Sequence, residues 1–444
     1  MRIGVVGAGI TGLVAAWTLQ RAGHTVVLYE RHDRPGGSIR TEEEGGWLKE
    51  LGPNTLQVRS RSVYDLLERL GLQDEMIEAN PEASRRFILF EESLHALPSS
   101  IKEAWNSPLF GAETAWNLLL EPFRRPGTDP DETVSSFVRR RLGNEVLDRA
   151  INPFVSGIYA GDPDLLSVRH AFPSLYELEQ TWRSLIAGSI LGKRERKRKG
   201  RIPAQLLSFR KGLQQLPARL AEPLDIRYGE TVERIQRDGS GWQLISGGVA
   251  SEPFDRVILN VPFYHLSEQL LDGGGELLGH ASTLIYPPLS VLHTGFRTED
   301  LDHPLDGFGF LVPESEKRTI LGTLFSSTLF PNRAPDGHAL LTTFIGGVRD
   351  RDRAAEPTDR LLDDVMGEFR ELLGARADPV MVDHSFWPYA IPNYTTEYDQ
   401  VLEMIDRVEE RNPGVYLAGN AKGGISVPDC MEQGMNVARQ IDSK

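Results

Sequence analysis

Two features near the N-terminus could bind a dinucleotide: a glycine-rich turn and an acidic residue beyond it. Gly7, Gly9 and Gly12 complete a G-x-G-x-x-G motif, and Glu30 lies 18 residues past Gly12. In such a site the three glycines permit, in order, a tight turn, close approach to a pyrophosphate and helix–strand packing. The acid accepts hydrogen bonds from ribose hydroxyls. The motif predicts dinucleotide contacts from Gly7, Ala8, Gly9, Ile10, Thr11, Gly12, Glu30 and Arg31.

The elements that must position this motif are also readable in the sequence. Arg2–Val6 is a β-branched run typical of a buried parallel strand, Leu13–Arg21 has helix-forming composition, and Thr25–Tyr29 is a second strand. The order of strand, glycine turn, helix, strand and acid is that of a βαβ unit. Its helix N-terminus offers free N–H groups and positive potential to a phosphate.

A second glycine loop indicates which dinucleotide is bound. Arg34–Thr41 contains the Gly36-Gly37 pair and Arg40, a pattern that nicotinamide dehydrogenases do not need. The two-part pattern resembles the FAD-binding proteins of the flavin amine oxidase superfamily, and Leu51–Thr55 follows at the spacing where that superfamily contacts the flavin. The resemblance implies FAD as cofactor, with contacts from Gly37, Ser38, Arg40, Gly52, Pro53, Asn54 and Thr55.

The C-terminal region repeats the order of strand, glycine loop and helix. Gly414–Leu417 reads as a strand, Gly423–Val427 as a glycine loop, and Cys430–Ile441 has helical spacing. This order suits a second anion-and-ring site at Gly424, Ile425, Ser426 and Val427. The superfamily resemblance adds Val232 beside the adenine and Trp387 near the flavin.

Longer motifs resemble those of protoporphyrinogen oxidases. They are Asn152–Pro163, Ala171–Glu179, Ala96–Pro98, Trp387–Tyr394 and Pro428–Cys430, in the order of that family. The resemblance implies an FAD enzyme of haem biosynthesis that removes six electrons from protoporphyrinogen IX or coproporphyrinogen III, with oxygen as acceptor and hydrogen peroxide as by-product. Two alternatives stay open: another amine or polyene oxidase or desaturase of the superfamily, and a catalytically silent FAD-binding scaffold.

A porphyrinogen is a wide apolar macrocycle with peripheral carboxylates, so its pocket should be apolar with cations at the rim. We expect Gly157, Ala160 and Gly161 to form a loop whose small residues let the macrocycle approach the flavin. For the rim cation the family uses an arginine shortly after its Ala-Leu-Pro. Here the corresponding cation is Lys102, and the residues that could substitute for it are Arg85, Arg86 and Arg169.

These motifs predict an α/β protein of three parts. We expect a discontinuous Rossmann-like FAD-binding domain (1–58, 206–262 and 384–444), a mixed α+β substrate-binding domain (59–92 and 263–383), and a helical insertion domain (93–205) that could associate with membranes. Lys193–Arg201, with seven basic residues and one acid, is either a patch for an anionic partner or a solvated loop tip.

Composition limits the partners. The 49 Lys and Arg against 63 Asp and Glu give a net charge of −14, which argues against nucleic acid. Cys430 is the single cysteine, so intrachain disulfides and CxxC metal sites are excluded, and the histidines show no ligand spacing. We expect no export signal, a cytoplasmic location that extends to the inner face of the membrane, and four partners: a porphyrinogen, molecular oxygen, a peripheral membrane contact and a downstream haem-pathway enzyme.

Overall fold

The fold is described from a computed structural model, in which residues 1–98, 101–192, 201–239, 241–272, 281 and 283–443 are described. The side chains of residues 101, 102, 105 and 201 are not included. Most of the basic run Lys193–Arg201 therefore lies outside the described residues.

A five-stranded parallel sheet joins the beginning, middle and end of the chain. Its strands, in order across the sheet, are Asp225–Tyr228, Thr25–Glu30, Arg2–Val6, Arg256–Leu259 and Val415–Leu417. The β-branched residues of Arg2–Val6 are buried because strands flank it on both sides, helices cover one face of the sheet, and a small antiparallel sheet with a further helix covers the other. The sheet confirms the predicted α/β class with a Rossmann-like core.

Two helices from opposite ends of the chain pack together on this sheet. Ile10–Arg21 begins within the glycine motif rather than at Leu13 as predicted, and Val427–Asp442 begins before Cys430. A Cβ on Gly434 would lie 2.6 Å from the carbonyl oxygen of Thr11, so the glycine permits their close approach. The C-terminal glycine loop is thereby brought to the N-terminal one.

A seven-stranded sheet forms the second body. Its order is Met381–Trp387, Leu289–Arg297, His338–Gly346, Ile320–Phe325, Gly309–Leu311, Arg86–Phe90 and Ser93–Ala96. Only the pairing of Gly309–Leu311 with Arg86–Phe90 is parallel among these. The amphipathic helix Thr358–Leu372 buries its apolar side against one face of the sheet. The opposite face takes part in the candidate site.

Smaller antiparallel sheets complete the β structure. Val232–Asp238, Gly241–Ser246 and Val249–Ala250 form one, Thr41–Glu44 pairs with Trp47–Glu50, and Arg201–Phe209 lies between Leu56–Ser60 and Met76–Glu78. Further helices are Arg61–Arg69, Gln215–Ala221, Ser326–Leu329 and Tyr398–Arg411.

The segment between the two bodies is helical. Its helices are Ile101–Asn106, Ala112–Leu120, Val134–Leu142, Asn144–Val146, Asn152–Tyr159, Val168–Ala171, Pro173–Trp182 and Leu185–Leu191. The fully buried Arg141 holds this segment together through ion pairs with Glu121 and Glu179. Throughout the described ranges, each helix is too short or too polar to cross a bilayer.

Candidate functional site

The side chain of Asn260 closes the N-terminal glycine turn. Its Nδ2 donates to the carbonyl oxygens of Gly7 (3.1 Å) and Gly9 (3.3 Å), and it lies 2.6 Å from where a Cβ on Gly12 would stand. Gly7 has φ +100°, which favours glycine. Gly7 and Gly12 are thus required by the packing of the turn itself. Asn260 was missed from the sequence because it lies far along the chain, at the end of another strand.

The first helix presents its N-terminus beside both N-terminal glycine loops. Gly9 is its N-cap, without a side-chain cap and with no acidic residue in the first turn. The amide of Gly36 donates to the carbonyl of Ala8 at 2.8 Å, and a Cβ on Gly37 would lie 3.4 Å from the Cα of Gly9. The two predicted loops therefore meet, and their glycines leave a backbone cradle that fits a diphosphate.

Glu30 is buried at the end of its strand, where the motif predicts it. Its carboxylate accepts hydrogen bonds from the backbone amides of Ala8 (2.7 Å) and His32 (2.9 Å), and these tie the acid to the glycine turn. Val232 is buried in the same core as Tyr29, the residue before Glu30. These positions suit the adenosine end of FAD.

Three arginines in or just before the second glycine loop have different partners. Arg34 was not predicted, yet its guanidinium donates to the carbonyls of Gly37 (2.9 Å) and Ile39 (3.1 Å) and so fixes the loop. Arg40 forms an ion pair with Glu42 rather than standing as a free cation. Arg31 is exposed and lies 2.8 Å from a ring nitrogen of His265.

The predicted flavin-contacting segment Gly52–Thr55 is anchored by the residues just before it. Trp387 Nε1 donates to the carbonyl of Leu51 at 2.8 Å, so the last residue of an outer strand in the seven-stranded sheet holds this segment. The buried Glu50 carboxylate accepts from the amide of Leu213 (2.8 Å) and lies 3.4 Å from Arg333. Burial raises the pKa of Glu50 to about 7, against the lowering effect of Arg333.

The C-terminal glycine loop is fixed by a buried tyrosine and a helix cap. The amide of Gly424 donates to Tyr394 Oη at 3.1 Å, and the Ser426 side chain caps the last helix in a capping box with Asp429. Ile425 packs between the core of the parallel sheet and that of the helical segment. Val427 is buried at the start of the helix.

The substrate-side residues differ from the predicted loop in one respect. Gly157 lies inside the helix Asn152–Tyr159, and only Ala160 and Gly161 follow it. Ala160 ends the helix in the left-handed conformation, with φ +47°. Gly157 is exposed on a helix face that also exposes Phe154 and Ile158. The side chain of Lys102 lies outside the described residues, so its predicted role stays a prediction.

An apolar wall joins the substrate-side helix to the seven-stranded sheet. Ala160 packs with Leu289, Val291 and Leu321, and the half-buried side chains against this cluster are Phe344, Trp387 and Ala390. Because Trp387 also holds Leu51, the apolar wall is continuous with the segment predicted to contact the flavin. The arrangement can accommodate a large apolar face next to a ring cofactor.

The whole chain is similar to proteins named as protoporphyrinogen or coproporphyrinogen oxidases. It is 34% identical to the mitochondrial protoporphyrinogen oxidase of Nicotiana tabacum, covering 100% of this chain and 95% of the relative. It is 27% identical to the coproporphyrinogen III oxidase of Bacillus subtilis, covering 97% and 95%. A crystal structure from Exiguobacterium sp. 255-15, which carries a provisional protoporphyrinogen oxidase name, superposes with a TM-score of 0.84 at 27% identity, covering 100% of this chain and 98% of that one.

Residues 10–442 match the model of the flavin containing amine oxidoreductases. This match confirms the predicted superfamily, the FAD cofactor and the assignment as an oxidoreductase. It begins within the first glycine turn and covers the second glycine loop, the apolar wall and the C-terminal glycine loop. The chain belongs to the flavin containing amine oxidoreductase family.

Proposed function

We propose that the protein is an FAD-dependent porphyrinogen oxidase of haem biosynthesis, acting on protoporphyrinogen IX or coproporphyrinogen III. The observation that carries the proposal is the apolar wall, whose members are all apolar and which Trp387 links to the flavin-contacting segment. A wall of this composition suits a tetrapyrrole better than a charged amine. The names of the full-length relatives support the same substrate class.

When FAD is bound, it accepts two electrons at a time and passes them to oxygen. Three rounds remove six electrons and six hydrogens from the porphyrinogen, and three oxygen molecules become three molecules of hydrogen peroxide. The residues of the chain bind and orient the cofactor and the substrate, and they exclude water from the site. Ala160 keeps the approach to the cofactor free of a bulky side chain, Gly161 leaves room for the Asn393 side chain, and the apolar wall shields one face of the macrocycle.

Among the arginines considered for the substrate carboxylates, the surroundings favour Arg86. Arg85 pairs with Asp306, and Arg169 pairs with Asp399. Arg86 is exposed, its guanidinium lies 4.8 Å from the ring centre of Phe308, and no ion pair to it occurs within the described ranges. Its strand pairs with Gly309–Leu311, and Leu311 lies directly under Gly157. Arg86 is therefore proposed as the rim cation.

An exposed apolar patch supports the peripheral membrane contact. Trp116 is 64% exposed and Phe123 is 84% exposed, and Leu119, Ile190 and Leu191 are exposed near them. Glu121 brings the two halves of the patch together, because its carboxylate accepts from Ser184 Oγ (2.5 Å) and from the amide of Leu185 (2.8 Å). Exposed aromatic and aliphatic side chains of this kind insert into lipid interfaces. The cytoplasmic location and the downstream haem-pathway partner stay predictions.

The test is an oxidation assay with the purified holoprotein, both porphyrinogens and air. We expect porphyrin fluorescence to rise well above autoxidation, with three molecules of hydrogen peroxide per porphyrin. A Gly9→Val variant, which should not retain FAD, measures autoxidation in the presence of protein. If amines reduce the bound flavin and porphyrinogens do not, the result would favour an amine oxidase. Flavin that none of these substrates reduces would favour a silent scaffold.

A further inference from the structure

Two adjacent residues, Asn393 and Tyr394, lie between the C-terminal glycine loop and the substrate-side helix. They follow Trp387 by a few residues and are almost completely buried, with 1% and 2% of their surface exposed. The backbone amide of Asn393 donates to the carbonyl of Ile285 at 2.8 Å, and the carbonyl of Tyr394 accepts from the amide of Ser167 at 2.9 Å. The dipeptide is therefore fixed on both sides before its side chains are considered.

The hydroxyl of Tyr394 is directed at the C-terminal glycine loop. Oη donates to the carbonyl of Asn420 and accepts from the amide of Gly424 at 3.1 Å. One hydroxyl thus uses both its donor and an acceptor site to set the spacing of two points of the loop. Gly424 has φ +127°, and Ile425–Val427, the predicted flavin contacts, follow it directly.

The side chain of Asn393 is directed at the end of the substrate-side helix. Its Nδ2 donates to the carbonyl of Tyr159 at 3.0 Å, and its Oδ1 stands where a Cβ on Gly161 would be placed. The ring of Tyr159 packs edge-on against the ring of Tyr394, with the ring centres 6.4 Å apart. The helix end that carries Ala160 is thus held from the same point of the chain.

We propose that Tyr394 is a positioning residue for the flavin-side loop and that Asn393 positions the substrate-side helix end relative to it. Because the two residues are adjacent, they fix the distance between the loop that contacts the cofactor and the helix end that faces the substrate. This inference rests on the proposed contact of FAD with Gly424–Val427. It does not depend on which substrate is oxidised.

The first test compares Tyr394→Phe with Tyr159→Phe. Both variants remove one buried phenolic hydroxyl bonded to a backbone carbonyl, since Tyr159 Oη donates to the carbonyl of Ala171 at 2.8 Å. Only Tyr394→Phe also leaves a loop amide, that of Gly424, without its acceptor. We expect FAD release from diluted holoprotein, followed by flavin fluorescence, to be about tenfold faster in Tyr394→Phe and within about twofold of wild type in Tyr159→Phe.

Unfolding in urea separates this role from a purely structural one. We expect the midpoint to fall in both variants and only modestly further in Tyr394→Phe, because that variant loses the bond from Gly424 as well. Equal release rates in wild type and Tyr394→Phe, or equal acceleration in both variants, would overturn the proposal. Since no porphyrinogen is used, the result is independent of whether the protein oxidises one.

The second test concerns Asn393. In Asn393→Ala we expect the KM for the porphyrinogen to rise severalfold while FAD release stays within about twofold of wild type, because the loss falls on the substrate side. Faster FAD release with an unchanged KM would contradict the assignment. Near-ultraviolet circular dichroism of the holoprotein checks that tertiary packing is retained.

Discussion

The first prediction concerns Arg86, the proposed rim cation, and its effect on the KM for the porphyrinogen. Arg86→Met should raise the KM for the porphyrinogen about tenfold with kcat within about twofold, because a charge-assisted hydrogen bond contributes about 1.5–3 kcal/mol to binding. Arg85→Met is the matched control, since Arg85 already pairs with Asp306. Steady-state kinetics of the two variants measures KM and kcat for this comparison. A larger effect from Arg85 than from Arg86 would exclude Arg86 as the rim cation.

Glu50 connects a single proton to folding stability. Its pKa is about 7 in the folded protein because of burial, and its ordinary value is 4.5. The folded protein therefore keeps this proton where the unfolded chain has lost it. The stability that the group contributes is fully present below pH 4.5 and is lost as pH rises towards 7.

The corresponding prediction uses Glu50→Gln, which cannot ionise. The unfolding free energy of wild type minus that of the variant should fall between about pH 4.5 and 7 and then stay constant. Urea unfolding across this range, with the same FAD content in both proteins, measures the difference. Parallel curves would mean that Glu50 ionises alike in the folded and unfolded states.

Among single residues, the sequence predicts those that belong to one short motif. The glycines and Glu30 are arranged within one βαβ unit, so spacing suffices to place them. Asn260, Tyr394 and Arg333 act on loops that are distant in sequence, and their side chains have no spacing signal. Arg40 shows a further limit, because its partner Glu42 depends on a hairpin geometry that composition does not specify.

Among the elements, the helix Asn152–Tyr159 is held by a tight backbone contact at its C-terminal end. The amide of Val348 donates to the carbonyl of Ala160 at 2.8 Å, and a Cβ on the preceding Gly347 would lie 2.6 Å from that same oxygen. Gly347 and Gly337 have almost the same left-handed φ, +75° and +72°. A Cβ on Gly337 would meet no atom of the described residues within 4 Å.

This pair of glycines allows a controlled prediction. Gly337→Ala should cost about 1 kcal/mol of unfolding free energy, the cost of the left-handed conformation alone. Gly347→Ala should cost about 2–3 kcal/mol, because the added methyl group also displaces the Ala160 carbonyl. Urea unfolding of both variants measures the difference. Equal losses of unfolding free energy in the two variants would show that the Ala160 carbonyl moves away from the added methyl group at no energetic cost.

The type of most elements followed from their sequence patterns, whereas some boundaries did not. Arg2–Val6 is a strand as predicted, and Thr25–Glu30 exceeds the predicted Thr25–Tyr29 by one residue, because β-branched runs are local signals. Gly157 was expected in a loop, yet it lies in a helix, where an added Cβ would meet the end of the Leu311 side chain. Strand order in the sheets was not predictable, because register depends on partners far apart in sequence.

For the whole molecule, the apolar patch on the helical segment predicts lipid binding. The double variant Trp116→Ser and Phe123→Ser should bind vesicles of phosphatidylglycerol at least tenfold more weakly than wild type, since burying each such side chain contributes about 1.5–3 kcal/mol. Val249→Ser, which changes an equally exposed apolar residue on a small hairpin, is the control. Cosedimentation measures binding. Equal binding by all three proteins would remove the patch from the proposal.

The parallel sheet has a consequence for the order of events during synthesis. Val415–Leu417 pairs with Arg256–Leu259, which pairs with Arg2–Val6, and the last helix lies across the first. The nucleotide turn is therefore translated at the start, but Asn260 and then the C-terminal loop reach it only later. A nascent chain lacks one wall of its own coenzyme cleft until Val415–Leu417 and the last helix have left the ribosome, so full capture of FAD must wait for these elements.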